Sequence, residues 1–196
     1  MSPATPRTLV LVAHPALQHS RVTRALMSAA DGLEGVALRD LYACYPDYAI
    51  DVAAEQAAAL AADHLVWLHP CHWYGMPPLM KLWLDEVLVQ GWAHGGPPDG
   101  PTRALAGKSL WLVTSTGGPA ASYGPDGHHG HDFSAFLPPY AQTAALCGLR
   151  FRPPLVLHGA DQVSAAALQA HAARWLAGLR GDDAAVAALA STGADR

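Results

Sequence analysis

Short apolar runs alternate with segments of helical period along this chain, and that alternation restricts the fold more than any other feature. Residues 9–13, 36–41, 65–68, 109–114 and 155–157 read as strands. Residues 9–13 and 65–68 are apolar throughout, as strands covered on both faces must be. The intervening segments keep the helical period. Val22, Ala25, Leu26 and Ala29 recur until Gly32, and residues 52–62 form an Ala-rich helix. Residues 79–89 place Leu79, Leu82, Trp83, Val87 and Leu88 on one face, with Lys81 and Asp85 paired at i,i+4. Residues 133–137 suggest a helical turn. Pro138-Pro139 then open a helix to Leu146, which Gly148 ends. Residues 164–179 align Leu168, His171, Ala172, Trp175, Leu176 and Leu179 along one side. Residues 42–48 read as an aromatic loop and 91–107 as a loop rich in Gly and Pro; the tail beyond Gly181 is left unassigned. The expectation is an α/β fold, a five-stranded parallel sheet with helices on both faces. Short crossovers suit strand order 2-1-3-4-5, the flavodoxin-like order. There ligands bind beyond the carboxyl ends, where the order reverses between strands 1 and 3.

At 196 residues and 20.6 kDa the chain is expected to be one domain spanning residues 1–196. A net charge of −4 with scattered basic residues makes no electrostatic case for nucleic acid. The Cys residues are Cys44, Cys71 and Cys147, without a C-x-x-C, which argues for a reducing compartment rather than a disulfide framework. No signal peptide and no apolar run of membrane length is visible, so a cytoplasmic location is expected.

Loops 14–20, 70–76 and 115–131 follow strands 1, 3 and 4 and should converge on one crevice. The first opens a helix. Free amides at a helix N-terminus suit a phosphate, and Ser20, Arg21, Val22 and Thr23 supply amides and hydroxyls while His14 supplies a ring N–H. The same residues also read as an ordinary Ser cap. The loop has no G-x-G-x-x-G, and Gly107-Lys108-Ser109 precedes a strand where a P-loop would follow one. In the second loop, Trp73 and Tyr74 offer flat surfaces to an aromatic ligand beside Cys71 and His72. Core packing is the competing reading for both rings. In the third, Gly117 and Gly118 let backbone amides approach a ligand, next to Ser115 and Thr116. His128, His129 and His131 raise zinc, but H-E-x-x-H spacing and a Cys partner are missing. Tyr123 with a His of this loop is a better proton-handling pair.

Ala13-His14-Pro15, Ser20, Leu41-Tyr42 with Tyr45-Pro46-Asp47, His69-Pro70, Trp73-Tyr74, Pro77-Pro78-Leu79, Lys81-Leu82-Trp83-Leu84-Asp85 and Thr116-Gly117-Gly118 together resemble the NAD(P)H:quinone oxidoreductases. They are most similar to the flavoprotein subunits that accompany bacterial glutathione-gated potassium-efflux systems. The likeness runs over about residues 9–154 and is most specific over 67–85. It implies a flavodoxin-like fold, FMN (FAD in longer members), NAD(P)H as hydride donor and a homodimer. His14 and residues 20–23 would then hold the flavin phosphate. Cys71, His72, Trp73 and Tyr74 would line the isoalloxazine, and Ser115, Thr116, Gly117 and Gly118 its edge. In the animal diaphorases the Gly pair is followed by a Tyr and, six residues later, a His that relay a proton; Tyr123 and His129 stand at that spacing. Cys71-His72 and Pro119 depart from the family pattern.

The implied activity is two-electron, ping-pong hydride transfer from NAD(P)H through FMN to a quinone or similar electrophile. Three alternatives stand beside it: a regulatory subunit of a potassium-efflux antiporter at the inner face of the membrane, an azo- or nitro-reductase, and a one-electron flavodoxin carrier. The last needs an acidic docking face, and the chain has no acidic cluster. Trp83 and the aromatic loops at residues 42–48 and 91–92 are read as surplus apolar surface for a homodimer.

Overall fold

The computed structural model describes residues 7–95 and 103–182, with Ala184 and Val186. Part of the 91–107 loop and most of the tail therefore lie outside the described residues. The central strands β1 (Thr8–Val12) and β3 (His64–Pro70) are buried along nearly their whole length, and β2 (Val36–Asp40) runs half-buried along the edge. Strand β4 (Ser109–Ser115) is buried throughout. All pairings are parallel in the order β2-β1-β3-β4, with Thr8 opposite both Val36 and His64, and His64 opposite Ser109.

The far edge departs from the five-strand expectation. Two short strands, β5 (Arg150–Phe151) and β6 (Leu155–Leu157), share that position, and both pair with β4. Pro153 and Pro154 separate them, because a proline has no N–H for the ladder. Arg152 still donates its amide to Leu110 O at 2.8 Å before the break.

Alternate residues of each strand feed two cores. Leu9, Leu11, Leu65, Trp67, Leu110 and Leu112 face a layer containing α3 (Val52–Ala61), α4 (Pro78–Val87) and α5 (Pro138–Leu146). Val10, Val12, Val66, Leu68, Trp111 and Val113 face α1 (Val22–Ala30) and α6 (Ala165–Leu179). That period of two on a wholly apolar strand explains the continuous runs. Trp111 and Trp175 stack at 5.4 Å beneath α6, and a Cβ on Gly178 would lie 2.1 Å from the Trp111 ring, so only glycine lets the helix sit this close.

Two further expectations are corrected. Leu41, expected as the end of a strand, and residues 42–44, expected as loop, form a helical turn, α2 (Leu41–Cys44), because the Asp40 carboxylate accepts from the Tyr42 and Ala43 amides and caps it. Trp83 is no surface residue. It is fully buried and donates Nε1–H to Glu55 Oε2 at 2.8 Å. Tyr45 is buried as well, and Tyr42 and Trp92 pack against the core. Among the described residues, the exposed Tyr, Trp and Phe rings are Tyr48, Trp73 and Tyr74.

Two histidines are buried neutral. His69 donates Nδ1–H to Pro70 O and stacks on Tyr140, while His171 Nδ1 accepts from Arg174; neither Nε2 has a hydrogen-bond partner among the described residues. Burial lowers both pKa values to about 4. The folded values lie below the ordinary 6.5, so the unfolded chain takes up protons first as pH falls. The stabilisation is complete above about pH 6.5 and is lost towards pH 4. Between pH 7 and 5 each histidine should cost about 2 kcal/mol of unfolding free energy. Urea midpoints at the two pH values, in the parent chain and in His171→Gln, check this; an equal pH dependence in both would contradict it.

Candidate functional site

The carboxyl ends of β1, β3, β4 and β6 open onto a cleft of about 660 Å³ lined by His14, Ser20, Arg21, Val22, Cys71, His72, Trp73, Ser115, Thr116 and Gly117. It continues, through Cys71, Trp73 and Gly117, into a smaller one of about 240 Å³ that adds Tyr74, Gly118, Tyr123 and His129. All the residues selected from sequence except Thr23 therefore meet in one crevice.

At one end stands the N-terminus of α1. The Ser20 amide is taken by Leu17 O, and the Thr23 amide donates to Ser20 Oγ at 3.0 Å. Thr23 is buried and turned away. The available amides are therefore those of Arg21 and Val22, which donate to no acceptor among the described residues. The Arg21 guanidinium donates to the Asp161 and Val163 carbonyls, which satisfy its geometry without cancelling its charge. His14 Nδ1 accepts from the Ala16 amide at 3.1 Å, so the neutral ring carries its proton on Nε2. Burial, and then the neighbouring His72, lower the His14 pKa.

The aromatic loop is a two-residue hairpin. His72 and Gly75 exchange both backbone hydrogen bonds at 3.0 Å, and Trp73 and Tyr74 occupy the turn with φ of 48° and 65°. Such turns favour Asn-Gly, and two bulky side chains there store strain, of the order of 1–2 kcal/mol per residue. The chain thereby holds Trp73 outward, 94% exposed, which excludes the core-packing reading. Tyr74 stacks on Phe136 at 4.9 Å. The Cys71 amide extends the β3–β4 ladder to Ser115 O, and burial raises the pKa of its thiol.

Gly117 and Gly118 follow β4. Their amides also lack an acceptor among the described residues. A Cβ at Gly118 would meet His129 Nε2 at 3.3 Å. His129 lies between Tyr123, whose ring centroid is 4.5 Å away, and Tyr74, whose hydroxyl is 3.4 Å from His129 Nδ1. Burial is the main cause of a raised Tyr123 pKa, so the phenol is a proton donor at neutral pH. His128 and His131 are exposed. Among the described residues no group of three or more His, Cys, Asp or Glu side chains is arranged to hold a metal ion.

The cleft also contains His19, Ala160 and Asp161, and His158 lies just behind it against Tyr123. Sequence reasoning passed over residues 158–161, although they follow a strand end as the selected loops do. Read by the strand-end rule alone, this fourth loop was available.

A family model described as flavodoxin-like fold matches residues 6–179, and the chain belongs to that family. More particularly, it is 43% identical over 167 residues to the glutathione-regulated potassium-efflux system ancillary protein KefF of Klebsiella aerogenes, covering 85% of this chain and 91% of that protein. General stress protein 14 of Treponema denticola, solved in complex with FMN, matches with a TM-score of 0.81 at 39% identity, covering 90% of this chain and 99% of that one. An NADPH-quinone reductase from P. pentosaceus matches with a TM-score of 0.78 at 25% identity, covering 88% and 97%. No helix among the described residues is long and apolar enough to cross a membrane.

Proposed function

We propose that the chain is an FMN-dependent NAD(P)H:quinone oxidoreductase. The observation that carries this is the division of the cleft. Unpaired amides and an uncancelled Arg21 stand at one end, and exposed aromatic rings and the free Gly117 and Gly118 amides line the other. That arrangement fits a ligand with a phosphate and a flat polar ring system. The FMN in the T. denticola relative supports the same cofactor here. When bound, FMN would supply the hydride-accepting and hydride-donating chemistry between NAD(P)H and a quinone, with one site serving both in turn.

The protein's part is to bind, orient and supply protons. Arg21, the Arg21 and Val22 amides, Ser20 Oγ and His14 Nε2 hold the phosphate. Cys71, His72, Trp73 and Tyr74 line the ring, and the Ser115–Gly118 segment meets its edge. Asp161 offers acceptors for hydroxyl groups. Tyr123 donates where negative charge develops, and His129, in contact with the Tyr123 ring and the Tyr74 hydroxyl, resupplies its proton.

A yellow preparation with one FMN per subunit, and NAD(P)H oxidation that accelerates on adding a quinone, is the expected result. A colourless protein that FMN cannot reconstitute, or released FAD alone, would refute the assignment. Tyr123→Phe and His129→Gln should each slow flavin reduction by about tenfold. That is less than the hundredfold typical of losing one preorganised donor, because the Gly117 and Gly118 amides share the charge. Stopped-flow traces with unchanged rates in both variants would remove the pair from the mechanism.

The 43% identity to KefF favours a second role, as an ancillary subunit of a membrane potassium-efflux system. Co-purification with such an antiporter, and flux with and without this chain, tests it. The active form is a homodimer on this reading, with Tyr48, Trp73 and Tyr74 as its exposed aromatic surface. A monomer mass by light scattering with FMN bound would contradict that.

A further inference from the structure

His158 lines neither part of the cleft, yet its bonds run to the cleft wall. Thr116 Oγ1 lies 2.7 Å from Gly118 O and 2.9 Å from His158 Nδ1. A hydroxyl has one proton, and a carbonyl oxygen can only accept. The Thr116 proton therefore goes to Gly118 O, and His158 must donate Nδ1–H to Thr116 Oγ1. Gly118 O is held a second time by the Gly159 amide at 2.9 Å. Thr116 is tied on both sides, its amide to Leu157 O and its carbonyl to the Ala160 amide. The backbone of residues 116–118 is thus laced to the loop after β6. His158 itself is held edge-on by Phe133 at 5.2 Å and tilted against Tyr123 at 5.0 Å.

We propose that His158 is a positioning residue: through Thr116 it holds the Gly117–Gly118 backbone so that both amides stay free for the ligand. This rests on the flavin reading above, in which those amides meet the ring edge. Burial lowers the His158 pKa and favours the neutral ring. Both the neutral Nδ1–H tautomer and the cation donate from Nδ1, so the bond does not depend on which form is present.

The test is titration of apoprotein with FMN, followed by flavin fluorescence. His158→Phe and Thr116→Val should each weaken binding by about tenfold, the effect of one net hydrogen bond at its upper range. The double variant should be no weaker than either single one. His158→Asn should bind within about twofold of the parent, because the Asn Nδ2–H stands where Nδ1–H stood. A merely space-filling ring would give the reverse, with Phe tolerated and Asn not. Parent-like binding in His158→Phe, or no rescue by Asn, overturns the proposal. A readout without flavin accompanies this: nitrogen NMR of the apoprotein should find His158 protonated on Nδ1, and an Nε2–H tautomer overturns the hydrogen-bond arrangement. Failure of the parent chain to bind FMN would defeat the flavin reading and, with it, the ligand-holding role. The tautomer would still decide the bracing of residues 116–118.

Discussion

Replacing Glu55 by Ala is expected to lower the unfolding free energy by about 3–5 kcal/mol. Glu55 is fully buried on α3, beside the larger of the two hydrophobic clusters. Its carboxylate is tolerated because three groups meet it. Arg39 on β2 and the Tyr45 hydroxyl donate to Oε1, and Trp83 on α4 donates to Oε2. Arg39 also bonds the Tyr45 hydroxyl at 3.0 Å. Truncation leaves three donors unsatisfied, one of them a guanidinium without its counter-charge, and opens a cavity between two helices. Glu55→Gln keeps the volume and one acceptor, so its loss should be smaller. Urea unfolding followed by fluorescence measures both. A loss under about 1 kcal/mol in Glu55→Ala would mean that water enters and replaces the network. The effect should reach the cleft, because α4 follows the Trp73–Tyr74 hairpin and Trp83 is its anchor to α3.

The same network shows why some of this molecule was legible in the sequence and some was not. Strand positions were readable because both faces of the sheet are covered, and a residue such as Val10 or Leu11 is apolar whichever way it points. The Trp73–Tyr74 loop was readable because prolines at 77 and 78 place a helix start right after a strand end. The fate of Trp83 was not, because its partner Glu55 lies in another helix and nothing local marks that carboxylate as buried. The Leu41–Cys44 turn depends on Asp40 capping, a signal present in the chain but outweighed by the aromatic residues around it. The break between β5 and β6 was written in Pro153-Pro154, yet the number of strands does not reveal that both pieces pair with β4. The loop after β6, which brings Asp161 into the cleft and His158 behind its wall, stood at a strand end like the others, but neither residue carries a local motif that marks its role. By contrast, the amides selected as a block at residues 20–23 divide into two that are spent within the loop and two that are free, which spacing cannot distinguish.

That division makes the phosphate end open to a sharp test. Arg21→Glu should weaken FMN by about a hundredfold at low ionic strength while leaving riboflavin binding within about twofold. Arg21 reaches its position because its guanidinium donates to the Asp161 and Val163 carbonyls, at 3.4 and 3.0 Å. Those acceptors are neutral, so the positive charge remains available beside the free Arg21 and Val22 amides. A charge-assisted bond of this kind is worth about 1.5–3 kcal/mol, and reversal replaces attraction by repulsion of the phosphate dianion. Arg21 is exposed, so salt should shrink the effect. Arg21→Gln, which keeps a donor but no charge, should lose about tenfold. Riboflavin lacks the phosphate and reports whether the rest of the cleft has survived. Equal weakening of both ligands would mean that Arg21 acts by tethering the loop at residues 161–163. Unchanged affinity for both would move the phosphate away from the N-terminus of α1, leaving its two free amides without the ligand proposed for them.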